Sequence, residues 1–408
     1  MNTGLRIQLS LMMFLQYFIW GSWYVTLGTY LLQTLKFTGE QNGLAYGAFA
    51  IAAIVAPFFV GMIADRFFAT QKVLGILHII GAAFMFLLTQ INDFPIFYIC
   101  LFIYTLCYTP TMALTNSICF RQLDKPGEQM PGVRVLGTVG WITAGLFIDF
   151  LGVGKEATPM LIASVASLVL GLYCFSLPHT PPVKKEGGVT IREVLGLDAL
   201  ALMKNPSFAI LVIASVLVCI PLSFYYSSAN VFLVELGVEN VTSKMTLGQL
   251  SELVFMLLMP LFFVRLGVKK MMLLGMAAWV ARYLLFAYGN NETALWMLYG
   301  GILLHGICYD FFFLMGQIYV DNKAPVHLKS AAQGMITLAT YGIGMLIGTW
   351  LSGKVVDAYS ITSGEVVTHE WQGFWLVPAV ISAVVLVLFA LIFREKEEAK
   401  KVEVHSKV

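Results

Sequence analysis

Twelve stretches of mainly apolar residues follow one another along this chain, separated by short polar joints. Each approaches or exceeds the roughly 20 residues that a helix needs to cross the hydrocarbon core of a bilayer. The first half carries them at about 8–33, 42–64, 72–90, 95–119, 133–153 and 158–178, the second at about 208–233, 246–264, 270–289, 294–320, 331–357 and 372–393. A backbone in lipid must satisfy its own hydrogen bonds, so runs of this length are expected to be helices packed side by side. Only 12% of the 408 residues are charged, against about 25% in soluble domains. So few charges cannot cover a soluble surface, and membrane lipid becomes the expected exterior solvent. The expected fold class is an all-α membrane protein with twelve transmembrane helices in two pseudo-symmetric six-helix bundles.

Placing both termini inside sorts the 25 Lys and Arg residues into two unequal groups. Cytoplasmic ends and loops receive 20, among them Arg66, Lys72, Arg121, Lys184, Arg265 and Lys329, while the outer loops receive three, Lys36, Lys155 and Lys244. Arg282 and Lys354 remain within helices. This asymmetry is what the positive-inside rule demands, and an odd number of spans would destroy it. The expected organisation is an N-terminal six-helix bundle over 1–178, a cytoplasmic linker over 179–207, a C-terminal six-helix bundle over 208–393 and a cytoplasmic tail over 394–408. The linker opens with turn-prone His179-Thr-Pro-Pro and closes with a stretch, 190–205, that reads either as a short amphipathic helix or as a solvated connector. In the helical reading Leu195, Leu197, Leu200 and Met203 lie against the membrane surface.

Several classes of function are excluded by what is missing. The six cysteines sit inside apolar runs without metal-ligand spacing and read as small packing residues. The first apolar run is too long for a signal-peptide core. Nothing resembles a catalytic triad, a zinc site or a phosphate-binding loop, so no enzyme, metal or cofactor is expected. With a net charge of only +2 and no basic stripe, the chain gives no sign of a nucleic-acid partner.

The informative residues are charges at membrane depth, where they are costly and functional by default. Glu252 lies about 20 Å from the inner end and Arg282 about 18 Å, at 1.5 Å per helical residue. Asp310 sits well within segment ten. Glu252 and Asp310 are the candidates for proton coupling, because a protonated carboxyl is neutral and can change how substrate binds or helices move. The bland alternative is a fixed salt bridge to Arg282. Helical spacing puts Gln249 with Glu252 on segment eight, His305 with Tyr309 on segment ten, and Ser223, Tyr226 and Asn230 on segment seven. In the first half it aligns Arg134, Thr138 and Trp141 on segment five, and Gln16, Trp20 and Trp23 on segment one. Converging on one cavity, these stripes suit a flat, uncharged polar solute: aromatic faces stack on a ring while amides and carboxylates meet its polar edge. For His305, a packing role is as good a reading as a titrating one. His78, on segment three, reads as structural.

A weak repeat closes every third helix. Gly61-x-x-x-Asp65-Arg66 ends segment two, Gly145-x-x-x-Asp149 ends segment five, and Gly353-x-x-x-Asp357 ends segment eleven, with a related basic loop after segment eight. The glycine permits close helix approach, and the acid can latch neighbouring helix ends. The stretch from Gly61 through Asp65 and Arg66 to Lys72 resembles the loop motif of the major facilitator superfamily, with Phe68 in place of its usual glycine. That likeness implies the major facilitator fold and a gating role for Asp65, Arg66 and Lys72.

More specifically, the chain resembles bacterial nucleoside:proton symporters. The likeness is carried in order by Leu15-Gln-Tyr-Phe-Ile-Trp-Gly-Ser-Trp23, Arg134-Val-Leu-Gly-Thr138, Gln249-x-Ser251-Glu252, Tyr309-Asp-Phe-Phe312, Ala332-Gln-Gly-Met335 and Ser352-Gly-Lys-Val-Val356. It implies a monomeric inner-membrane permease that imports nucleosides with protons by alternating access. By position it implies that Arg134, Thr138, Gln249 and Glu252 bind substrate. Trp141 stands where the family can carry Phe, and His305 where a tyrosine can occur. Ser223-Phe-Tyr-Tyr226 replaces a stretch that offers amides in nucleoside-transporting members. These departures leave a proton-coupled permease for sugars or another small polar solute as the alternative, and a transporter-like solute sensor as a further one.

Overall fold

Lipid-facing sequence becomes lipid-facing surface in the computed structural model, which describes residues 3–59, 68–182, 197–325, 328–364 and 366–394. Phe150 and Val264 are each 84% exposed and Leu257 is 73% exposed. Large apolar side chains left bare on many helices suit a hydrocarbon surround and would be an aggregation hazard in water.

The helices run in order as α1 (Thr3–Trp23), α2 (Gly39–Phe59), α3 (Thr70–Leu88), α4 (Phe94–Gln122), α5 (Pro126–Leu151), α6 (Thr158–Tyr173) and α7 (Pro206–Glu235). After them come α8 (Val241–Tyr288), α9 (Leu295–Leu303), α10 (His305–Tyr309), α11 (Met315–Lys323), α12 (Lys329–Thr337), α13 (Met345–Ala358) and α14 (Trp371–Ile392). Their starts follow local rules. Asp93 and Asn205 cap α4 and α7 by accepting from backbone N–H groups, and each helix has proline in its first turn, where no N–H is needed. Among the described residues nine helical stretches are long and apolar enough to cross a membrane.

Three departures from the expected segments are informative. The first run does not continue as one helix to residue 33. It ends at Trp23 and resumes as a short helix, Leu27–Thr29, followed by a π-helical turn, Tyr30–Thr34. Segments ten and eleven contain π-helical turns of their own, Asp310–Leu314 and Leu338–Gly344. Such bulges are common where a side chain must be re-aimed at a functional site. Finally, α8 is 48 residues long because two helices meet end to end at Gly267, whose φ of 68° and ψ of −179° are non-helical. That backbone conformation is essentially restricted to glycine. The break falls in the joint expected between segments eight and nine.

Packing divides by sequence. One apolar core draws its buried residues from Leu9 to Leu177, and the other from Ala199 to Phe393, joined by Leu32 and Ala50. All six cysteines are buried and free, as packing residues should be. Of the linker, residues 183–196 lie outside those described. Its end is a 3₁₀ helix, Leu197–Lys204, rather than an amphipathic α-helix; Ala199 is buried and Leu200 exposed. A small antiparallel hairpin, β1 (Ser360–Ser363) and β2 (Val366–His369), was not anticipated. It is fastened to the end of α7: Glu235 accepts from Trp371 Nε1 at 2.8 Å and pairs with His369 Nδ1 at 2.9 Å.

Candidate functional site

The two halves are tied together at one end. There the Thr29 hydroxyl donates to Asn230 Oδ1 at 2.6 Å, and the Asn42 amide donates to the Ser227 carbonyl at 3.3 Å. Asp357, at the end of α13, accepts from the Gly39 and Glu40 N–H groups that open α2, at 2.6 and 2.8 Å. Asp149, at the end of α5, accepts from the Ser243 N–H in the first turn of α8 at 2.5 Å. Each acid therefore caps a helix N-terminus in the opposite half, where unpaired N–H groups and the helix dipole favour a negative charge. Lys354, expected within a helix, pairs with Glu40 at 2.6 Å beside one of these caps. At the other end α2 finishes and α3 begins. Of the gate residues expected there, Asp65 and Arg66 lie outside the described residues, and Lys72 is exposed.

Between the tied end and the open end sits the charged cluster. Glu252 is on the first part of α8 and His305 opens α10, and their meeting follows from a backbone contact. A Cβ added to Gly306 would stand 2.5 Å from the Ser251 carbonyl, so only glycine lets the two helices approach this closely. Ser251 Oγ reinforces the contact, donating to the Leu303 carbonyl at 2.5 Å. The result places His305 Nε2 3.9 Å from Glu252 Oε2. His305 is 2% exposed, while the Glu252 side chain is 33% exposed. On its far side, His305 Nδ1 lies 3.0 Å from Arg282 Nη1. Arg282 is fully buried, with its guanidinium carbon 3.5 Å from the Tyr225 ring centroid. It forms no ion pair within 4 Å with Glu252 or Asp310, so the fixed salt bridge allowed by the sequence is not formed. Asp310 is 1% exposed, and its Oδ2 has no hydrogen-bond partner.

Around Glu252 the halves contribute aromatic and polar walls. Arg134, exposed on α5, interacts electrostatically with Glu252 on α8. Thr138 and Trp141 follow it on the same helix, half-buried. Trp20 meets Trp141 edge to face at 5.1 Å and stacks on Phe49 at 5.2 Å. Tyr226 bridges the halves through Tyr24 at 5.7 Å and reaches the His305 ring at 6.4 Å. Tyr309 stands beside His305 at 5.9 Å, and its hydroxyl is hydrogen-bonded to that of Tyr341. Gln249 Oε1 is buried without a partner. Toward the tied end, a cleft of about 10 Å³ lined by Trp141, Tyr225, Tyr226 and Gln249 among others is far too small for a drug-sized solute.

Not every expected residue reaches this cavity. Gln16 is fully buried in the first half, bonded to Thr111 Oγ1 at 2.7 Å and to His78 Nε2 at 2.9 Å. His78 also meets Ser167 at 3.0 Å, so it is one member of a satisfied internal network. Ser223 turns toward α13, with Oγ 2.9 Å from the Cys219 carbonyl and 3.3 Å from that of Met345. Asn230 is spent on the tie between halves. Conversely, Tyr17 and Tyr341 stand within electrostatic reach of Glu252 and were missed by sequence reasoning. The proximity of Tyr17 to Gln16, and a scan of segment eleven for the polar stripe sought on its neighbours, could have flagged them.

A bundle of long apolar helices with charges buried at membrane depth points to a class: a membrane transporter. The comparisons name the family. The profile of the nucleoside H+ symporter family matches residues 1–398. The chain is 43% identical over 401 residues to the putative nucleoside transporter YegT of Escherichia coli K12, covering 96% of this chain and 94% of that protein. It is 33% identical over 410 residues to the nucleoside permease NupG of the same strain, covering 96% and 97%. It is 32% identical over 415 residues to the strain's xanthosine permease, covering 98% of each. The crystal structure of NupG superposes with a TM-score of 0.88 over 97% of this chain and 100% of that one, at 33% identity. The chain belongs to the nucleoside H+ symporter family. It is a proton-coupled nucleoside transporter, not an enzyme.

Proposed function

We propose that this chain imports nucleosides across the bacterial inner membrane by rocking two six-helix halves around the Glu252 site. Splitting α8 at Gly267 and adding α1 and α2 to the nine apolar stretches gives twelve spans. The halves are 1–178 and 208–393, joined by a cytoplasmic linker over 179–207 and followed by a cytoplasmic tail over 394–408. Both termini are cytoplasmic and the working unit is a monomer in lipid. The tied end is then extracytoplasmic, and the open end faces the cytoplasm, where Lys72, Arg121, Arg265 and Lys329 gather.

Substrate lies between Trp20 and Trp141 on one side and Tyr226, Gln249, His305 and Tyr309 on the other. Arg134 and Thr138 complete its polar contacts. Gln16 and Ser223 support the surrounding helices from behind. Glu252 and Asp310 are the coupling acids. In the outward-open state a proton and a nucleoside enter together. The Asp149 and Asp357 caps then close that side, and release follows on the other, with Asp65, Arg66 and Lys72 holding the cytoplasmic gate when it shuts. This is rigid-body rocking about a midplane site.

The observation that carries the reading is a partly exposed Glu252 that faces a buried histidine of its own half and lies in electrostatic reach of Arg134 from the other. In proteoliposomes, radiolabelled uridine, adenosine, inosine and xanthosine uptake should be saturable and stimulated by an inward proton gradient. Glu252→Gln or Asp310→Asn should abolish that stimulation. Folded protein that takes up none of the four would overturn the nucleoside assignment.

A further inference from the structure

Arg282 is the buried cation that the transport reading leaves without a role. It cannot be deprotonated, and its guanidinium offers five N–H donors and no acceptor. Its Nη1 lies 3.0 Å from His305 Nδ1. That contact is a hydrogen bond only if Nδ1 offers a lone pair, which puts the single ring proton on Nε2. A proton on Nδ1 would set two donors against each other, and a doubly protonated ring would set two buried cations 3.0 Å apart. Nε2, carrying the proton, is the nitrogen that faces Glu252 at 3.9 Å.

We propose that Arg282 is a positioning residue that locks His305 in the Nε2–H tautomer, keeping a permanent N–H donor beside Glu252 instead of a second proton acceptor. The functional half of this proposal rests on Glu252 being a coupling acid; the tautomer itself does not. The surroundings support a lock rather than a mobile side chain. Arg282 is fully buried and carried on the face of Tyr225, with Trp279 at 5.4 Å, a cation–π seat that substitutes for water. The His305 ring is clamped by Tyr225 at 5.4 Å and Tyr309 at 5.9 Å, and its Cβ abuts Gly248. The charged and titratable groups around the pair are Arg282, Tyr283 and Glu252 on α8, Arg134 on α5, Tyr225 and Tyr226 on α7, Cys308 and Tyr309 on α10, Asp310 beyond it, and Tyr341 against Tyr309. None of them except Arg282 is bonded to Nδ1. When Glu252 gives up its proton, His305 can meet the bare carboxylate with an N–H without taking part in the transfer. A proton leak through the ring is closed because the ring's free lone pair is already occupied.

The test is ¹⁵N magnetic resonance of histidine-labelled full-length protein in liposomes, with His305 assigned by subtracting the His305→Gln spectrum. The expected result is a protonated Nε2 and a bare Nδ1 that do not change across the range where a free imidazole titrates, around 6.5. In Arg282→Gln the lock should fail, giving mixed tautomers or a titrating ring. Uptake provides a second arm that does not depend on that variant folding. A glutamine amide reaches the place of Nε2 and an asparagine amide does not. Proton-driven uptake should therefore fall roughly tenfold further in His305→Asn than in His305→Gln. A protonated Nδ1 or a titrating ring in the wild type would overturn the proposal, as would equal losses in the two His305 variants. Coupling that survives Glu252→Gln would instead remove the acid from its role and leave the tautomer result standing.

Discussion

Glu252, Arg282 and Asp310 were legible from sequence because a charge inside an apolar run has no cheap explanation. Their partners were less so. Tyrosine counts as apolar in a membrane segment, so Tyr17 and Tyr341 blended into the helices that carry them. Helical spacing puts Gln16 and Ser223 on plausible faces but cannot say that each turns into its own half's packing. Nor does any spacing predict that Gly306 brings two backbones together beneath Glu252. Two substitutions test this layer. Gly306→Ala forces a Cβ against the Ser251 backbone, which cannot swing away as a side chain would. It should cost about 1–3 kcal/mol, read as a lower unfolding midpoint in detergent. At Gly81, whose nearest neighbour would lie 3.6 Å away, the same change should not lower it. Tyr341→Phe removes the hydroxyl that bonds to Tyr309. About 1 kcal/mol of lost hydrogen bonding should raise KM for uptake roughly fivefold with little change in maximal rate.

At the scale of elements, run length and charge placement anticipated most helices and the joint at Gly267. They could not anticipate the π-turns, because one extra residue in a turn leaves no mark on composition. The β1–β2 hairpin was hidden for a related reason: two strands of four residues are too short for a reliable alternation. The Gly-x-x-x-Asp repeat was legible as a pattern, and geometry supplies its meaning at two places, where Asp149 and Asp357 each cap a helix of the other half. Neutralising one cap should loosen the tied end. For Asp357→Asn, about 1 kcal/mol of lost charge–dipole and hydrogen-bond energy predicts a roughly fivefold shift toward the state opened at that end. Labelling of a cysteine placed near Gly39 by a membrane-impermeant reagent, added to the side where Lys36 and Lys155 lie, should rise accordingly. Unchanged labelling in a folded variant would remove the caps from the gate. Gly267→Ala, at a backbone conformation that an L side chain rarely adopts, should destabilise the protein by about 1–3 kcal/mol in thermal unfolding.

For the whole molecule, two cores tied at one end suit the proposed two-state device, in which each state needs its own set of ties. The ties seen belong to one state; those of the other are expected around Asp65, Arg66 and the basic loops. The lysines and arginines carry the expected orientation, yet the sequence could not say which end is shut, since both sets of latch residues are always present in the chain. The central claim is that nucleoside and proton move together through the Glu252 site. It is tested most directly by trapping a pH-sensitive dye inside proteoliposomes and adding nucleoside outside. Wild-type protein should acidify the lumen as nucleoside enters. Glu252→Gln should exchange labelled nucleoside across the membrane at equilibrium without moving protons. Nucleoside entry without acidification in the wild type, or undiminished acidification in the variant, would contradict the account.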